Sequence, residues 1–211
     1  MLRLVLASNN AKKLAELQAL LATLPLQLVR QGDLGVPEAD EPHHTFIENA
    51  LAKARHASRA TGLPAIADDS GLCVDALGGA PGVYSAHFAP LPALPAAADR
   101  ETLRRAQDDA NNELLLQRLQ GGSDRRCSFV STLVALRHAA DPQPLVASAR
   151  WTGEVLQQRR GEGGFGYDPL FFLPEHGVTV AELEPAMKNR ISHRALAAAQ
   201  MVRQLQEVWR L

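Results

Sequence analysis

The sequence predicts an α/β fold built on a mixed β-sheet. Apolar runs of strand length alternate with segments of helical periodicity along the chain, which is the pattern of helices packed on a sheet. Two long stretches rich in β-branched residues, 127–136 and 145–156, stand either side of Asp141-Pro142 and read as neighbouring antiparallel strands. A parallel arrangement alone would not contain such a hairpin, so the sheet is expected to be mixed.

Residues 2–7 form the first apolar run, and Leu14, Leu17, Leu20, Leu21 and Leu24 recur behind it at helical spacing. A helix is expected over 45–61, with Phe46, Ala50, Leu51 and Ala54 as its apolar stripe and Gly62 as its stop. Thr45 and Glu48 have the spacing of a capping box, so Glu48 is assigned to the helix start. Residues 63–67 read as a strand and 72–76 as a second one, with Asp68-Asp69-Ser70-Gly71 taken as a turn between them. A glycine- and proline-rich loop over 77–86 and an exposed Pro/Ala connector over 89–98 lead to a helix from about 99 to 119. After the hairpin come a glycine-rich loop over 161–169, a strand over 170–173 and a helix over 192–209 capped by Ser192.

The 211 residues suffice for one sizeable core. A net charge of −1 argues against a nucleic-acid polymer as partner, because such proteins carry a basic surface. Cys73 and Cys127 are the only cysteines and form no metal-binding or Cys-x-x-Cys pattern, which suits a reduced compartment. With no signal peptide and no run long enough to span a membrane, the expected location is the cytoplasm.

Two strings carry chemistry. Ser8-Asn9-Asn10-Ala11-Lys12-Lys13 offers a hydroxyl, amides and two cations at a strand-to-helix turn, where unpaired N–H groups and the helix dipole favour an anion. Asn10 as a helix cap and Lys13 as a surface lysine are the competing structural roles. Ala67-Asp68-Asp69-Ser70-Gly71 offers paired carboxylates at what reads as a strand end. Successive strand residues face opposite sides, so the two carboxylates have different jobs. Magnesium needs only one or two carboxylates besides substrate phosphates. Together the strings suggest metal-assisted chemistry on a polyphosphate, yet no P-loop motif occurs. Phe165-Gly166-Tyr167-Asp168 can stack on and hydrogen-bond a nucleobase, although its rings can equally be anchors. Lys188, His193 and Arg194 add donors near another helix start.

Six segments in register closely resemble the non-canonical purine nucleoside triphosphate pyrophosphatases, the inosine/xanthosine triphosphatase family. They are Ser8-x-Asn10-x-x-Lys13, Thr45-Phe46-Ile47-Glu48-Asn49-Ala50, Ala67-Asp68-Asp69-Ser70-Gly71-Leu72, the loop from Gly78 to Ala86, Gly163-Gly164-Phe165-Gly166-Tyr167-Asp168-Pro169 and Ser192-His193-Arg194. The resemblance covers nearly the whole chain. It implies a single domain over 1–211, an elongated two-lobed α/β subunit with a long central mixed sheet flanked by helices, and an active-site cleft between the lobes. It also implies a homodimer and magnesium-dependent conversion of dITP, ITP and XTP to the monophosphate and pyrophosphate.

By that resemblance Asp69 is the general base and a metal ligand, with Glu41 and Asp68 as further metal carboxylates. The turn Ser8, Asn9, Asn10, Ala11, Lys12 and Lys13, together with Lys53, is assigned to the triphosphate. Ser70, Phe165, Gly166, Tyr167, Asp168, Lys188, His193 and Arg194 are assigned to the rest of the substrate, with Arg194 as the donor that tests for a carbonyl at purine position six. Asn9 departs from the family pattern, which commonly has glycine there. Two alternatives stay open: a pyrophosphatase for other modified or pyrimidine triphosphates, and a nucleotide-sensing module without turnover.

Overall fold

The structure, a computed structural model, describes residues 1–92 and 99–211, and of Lys12 and Arg100 the backbone alone. Strand β1 (Leu2–Leu6) runs into helix α1 (Ala11–Leu20) through the turn at residues 7–10. Asn10 caps α1: its Oδ1 accepts from the Lys13 N–H at 3.3 Å and its carbonyl from the Leu14 N–H at 3.1 Å. The helix ends earlier than its leucine pattern, and Leu21 and Leu24 serve the core from a turn. Strand β2 (Leu26–Arg30) follows, unforeseen in the sequence because its five residues follow directly on that leucine pattern.

Helix α2 (Phe46–Thr61) begins and ends where expected. The Thr45 side chain accepts from the Glu48 N–H, and Gly62 adopts the left-handed conformation that closes the last turn. Strand β3 (Ala65–Val74) overturns the expectation of two strands around a turn. Asp68, Asp69, Ser70 and Gly71 lie inside one ten-residue strand, since ladder pairing on this segment outweighs the turn preference of those residue types. Helix α3 (Arg100–Arg118), capped by Asp99, precedes β4 (Arg126–Leu136) and β5 (Leu145–Val155). Then come β6 (Phe171–Leu173), β7 (Val178–Thr179), α4 (Pro185–Ile191) and α5 (His193–Trp209), whose cap is Ser192. Of these, β7 and α4 are too short to carry a period in the sequence. Ala89, expected in an exposed connector, is buried, with its N–H held by Asn111 and its carbonyl by Gln107; residues 93–98 of that connector lie outside the described residues.

Among the described residues the sheet has seven strands, ordered β2-β1-β3-β4-β5-β6-β7. β1 is parallel to β2 and β3, whereas β5–β6 and β6–β7 are antiparallel, so the sheet is mixed. The chain divides into two compact units, Met1–Asp69 with Ser131–Arg150 and Asn189–Leu211, and Ser70–Val130 with Trp151–Lys188.

In the first unit the pleat sorts the sheet's side chains into two cores. Leu4, Leu6 and Ile66 join Leu17 and Leu21 with Met201 and Leu205 of α5 on one face. Val5, Ala7, Ala65 and Ala67 join Ala50, Ala54 and Ala57 of α2 on the other. The alternation along β3 then sends Asp68 to the α1/α5 face and Asp69 to the α2 face.

Candidate active site

β1 pairs with β3 at Val5↔Ala65 and Leu6↔Ile66 and then leaves the sheet for the α1 turn. Asp68 and Asp69 therefore follow immediately on the point where β3 loses its neighbour on that side, as ligand sites in open α/β sheets commonly do.

Asp68 is 3% exposed. Its Oδ2 meets the Lys13 ammonium at 2.9 Å and the Arg194 guanidinium at 3.3 Å, and its Oδ1 accepts from the Ser131 hydroxyl at 2.9 Å. Burial alone would raise its pKa, but Lys13 and Arg194 outweigh burial and hold the carboxyl far below the usual range. Asp68, expected among the metal ligands, lines the hollow described below and anchors two protein cations and a hydroxyl. Arg194, expected to read the base, is 5% exposed and shared between Asp68 and Glu16 of α1. Both arrangements have one cause: α1 and α5 pack on the face of β3 that carries Asp68.

Asp69 has the opposite environment. Its Oδ1 accepts from the Lys53 ammonium at 2.9 Å, and Lys53 also meets Glu41 at 2.8 Å. Burial and the nearby Glu41 carboxylate push the Asp69 carboxyl up to about 6 against the pull of Lys53. In Glu41 burial acts upward too, but Lys53 outweighs it and holds that carboxyl below its ordinary value. Burial likewise disfavours the Lys53 ammonium, and the two carboxylates more than restore it. Asp69 Oδ2 is buried and accepts no hydrogen bond. A buried carboxylate oxygen in that state suits a cation or a water.

Lys13, Lys53, Ser8, Glu38, Glu41 and Asp68 line a hollow of about 100 Å³, with Ala7, Gln31 and Ala39. Two lysines there face three carboxylates. An added polyphosphate would meet net repulsion unless a divalent cation came with it, and hard oxygen donors suit magnesium. Among the described residues no group of three acidic, His or Cys side chains is placed to hold a metal by itself. The protein therefore supplies few ligands, and phosphate oxygens and water would complete the set. The hollow is smaller than the roughly 300–1,000 Å³ of pockets that enclose a whole drug-sized ligand. It accounts for part of a nucleotide.

The remaining residues of the turn serve differently. Ser8 Oγ accepts from the Asn10 N–H at 3.1 Å. Asn9 turns toward the 3₁₀ segment Gln31–Leu34, where a Cβ at Gly32 would fall 2.4 Å from Asn9 Oδ1. Ala11 is exposed at the start of α1, and the Lys12 side chain lies outside the described residues. Ser70 continues β3 half-buried, and His193 is buried at the start of α5.

The second unit holds its own cluster on the glycine-rich loop. Asp168 Oδ2 accepts from the Lys188 ammonium at 2.6 Å and from the Phe165 N–H at 2.9 Å. Gly164 has φ +76°, and a Cβ there would fall 2.1 Å from that same oxygen, so only glycine fits. The Phe165 ring has Lys188 at 4.7 Å and Arg104 at 5.0 Å from its centroid. Tyr167 is 4% exposed, with its hydroxyl on the Ser85 carbonyl at 2.9 Å, which makes it a loop anchor. Asp108 and Asn112 of α3 hold the Gly166 N–H and carbonyl at 3.0 and 2.8 Å.

A model of the Ham1 family matches residues 4–204. The chain belongs to the Ham1 family. Within it, a dITP/XTP pyrophosphatase of Methylibium petroleiphilum is 66% identical over 208 residues, covering 99% of each chain, and one of Leptothrix cholodnii is 64% identical over the full length of both. Among solved structures, a HAM1 protein from Coxiella burnetii superimposes with a TM-score of 0.87 at 43% identity over 99% of this chain and all of that one. The Staphylococcus aureus Ham1 protein does so with a TM-score of 0.81 at 33% identity, covering 97% and 98%. The Ham1 fold is thus the mixed α/β sheet described above.

Sequence reasoning missed Ser131, Glu16 and Gln31. Ser131 had a partial signal, as one of the hydroxyls Ser128, Ser131 and Thr132 in a strand of mainly apolar residues; Glu16 had none, since it reads as an ordinary surface residue of α1.

Proposed function

We propose that this chain hydrolyses the non-canonical purine nucleotides dITP, ITP and XTP to the monophosphate and pyrophosphate. The observation that carries the reading is Asp69, a buried carboxylate in a Ham1 chain with one oxygen without a donor and the other on Lys53, a residue that also lines the hollow of about 100 Å³. Base-competent near neutral pH, Asp69 takes a proton from water as that water attacks the α-phosphorus. The bond from that phosphorus to the oxygen bridging to the β-phosphate breaks, and pyrophosphate leaves. Lys13 and Lys53 offset the charge of the leaving group. Asp69 and Glu41 would hold magnesium, which would supply the further positive charge the triphosphate requires.

The finer parts of the proposal are magnesium as cofactor, a homodimer and a cytoplasmic location. Among the described residues no helix is long and apolar enough to cross a membrane. For the base, Arg194 stays the donor the resemblance assigns, and the Phe165, Asp168 and Lys188 cluster offers further recognition groups. The ring offers a stacking surface, and the Lys188 ammonium is a donor that a six-carbonyl satisfies and an adenine amino group does not.

Two results test this reading. In ¹⁸O-labelled water, ITP should yield pyrophosphate together with a monophosphate that carries the label; orthophosphate and a diphosphate as first products would refute the arrangement. Magnesium binding should also depend on pH. The Asp69 proton must leave before the carboxylate can ligate, so calorimetric titrations should show affinity weakening as pH falls through about 6 and levelling above it. Affinity independent of pH from 5 to 8 would remove Asp69 from the ligand set.

A further inference from the structure

Glu41 sits on a segment, residues 37–43, that has no helix or strand of its own. Its side chain is 46% exposed. An exposed glutamate on an irregular segment has no intrinsic reason to stay beside Asp69. Yet the segment is tied at both ends to a single face of α2. Asn49, 1% exposed, brackets the His43 peptide: its Oδ1 accepts from the His43 N–H at 3.0 Å and its Nδ2 donates to the His43 carbonyl at 3.2 Å. At the other end His56 Nε2 lies 3.1 Å from the Pro37 carbonyl and must donate, because a carbonyl only accepts. Between them Lys53 reaches Glu41 at 2.8 Å. Asn49, Lys53 and His56 follow the i, i+4, i+7 spacing of one helical stripe, so a strap laid along α2 meets all three.

We propose that Asn49 and His56 are positioning residues that hold residues 37–43 as a strap along α2 and so place the Glu41 carboxylate for magnesium. The inference rests on the reading of Glu41 as a metal ligand. Groups that orient a ligating side chain typically govern 10- to 100-fold in metal affinity. The strap is therefore a determinant of the magnesium requirement.

The test uses the full chain with Asn49→Ala, His56→Ala, His56→Gln and Glu41→Gln. Hydrogen exchange of residues 37–43, calorimetric titration with magnesium alone and the magnesium dependence of pyrophosphate release are measured on each. In Asn49→Ala and His56→Ala the strap should exchange faster, and half-saturating magnesium should rise about tenfold. Turnover at saturating magnesium and the nucleotide KM should change little. His56→Gln keeps an N–H donor and should recover most of the loss. If Asn49→Ala does not fold, the His56 pair decides. Unchanged exchange and unchanged magnesium affinity in the strap variants, beside a shift in Glu41→Gln, overturn the strap. No shift in Glu41→Gln overturns instead the reading of Glu41 as a ligand, and the inference with it.

Discussion

Asp69→Asn should lower kcat on ITP by at least ~10²-fold, the usual scale for a lost general base, while the protein stays folded. An amide keeps the size of the carboxylate and an oxygen for the Lys53 hydrogen bond, which is 2.9 Å long in the native chain. It cannot take a proton from water, and as a neutral group it is a poorer partner for magnesium. The environment is what makes the native carboxylate effective. Burial and Glu41 push its pKa up to about 6, so at pH 7 to 8 it is ionised yet more basic than an exposed aspartate. Steady-state kinetics at saturating magnesium, with a thermal melt on the same preparation, checks the result. A folded variant with turnover close to the native enzyme's would show that the base lies elsewhere.

The largest stability effect should follow from Asp68→Ala. The substitution removes the carboxylate on which Lys13 and Arg194 converge and deprives Ser131 of its acceptor. Taking one partner out of a buried ion pair costs roughly 3–5 kcal/mol, because the charge left behind stays desolvated. For a chain of this size that corresponds to a melting temperature lower by about 6–20 °C. Glu16 continues to hold Arg194, which favours the lower half of that range. The pH dependence has a definite sign. The native pKa of Asp68 is depressed, so its stabilisation is fully present above the unfolded value near 4 and is lost as pH falls below it. The gap between native and variant melting temperatures should therefore narrow on acidification. Scanning calorimetry from pH 7 to pH 3 measures it, and a difference of less than about 2 °C at pH 7 would leave Asp68 without the anchoring role.

The division between these two neighbouring residues shows how far the sequence reaches. That adjacent carboxylates do different work follows from the two-residue period of a strand and needs no structure. Their assignment does need one, because the partners arrive from α1 and α5 on one side and from α2 on the other. The caps of α2 at Thr45 and Gly62 and the α1 turn were legible because their signals lie within a few residues of one another. β3 was not. Asp68-Asp69-Ser70-Gly71 has the composition of a turn, and only ladder pairing together with neutralisation by Lys13, Arg194 and Lys53 keeps it extended.

By itself the sequence determined the α/β class with its mixed sheet, the motifs that place the chain among the Ham1 proteins, and the residues from which the site is drawn. Tertiary structure alone decided that Asp68 anchors cations while Asp69 keeps an oxygen without a donor, that Arg194 pairs with Asp68 and Glu16, and that Glu41 meets Lys53. The physical reason is that charge partners are chosen by distances across the fold. Strand and helix periods set which way a side chain points, whereas the packing of distant helices sets what it finds there.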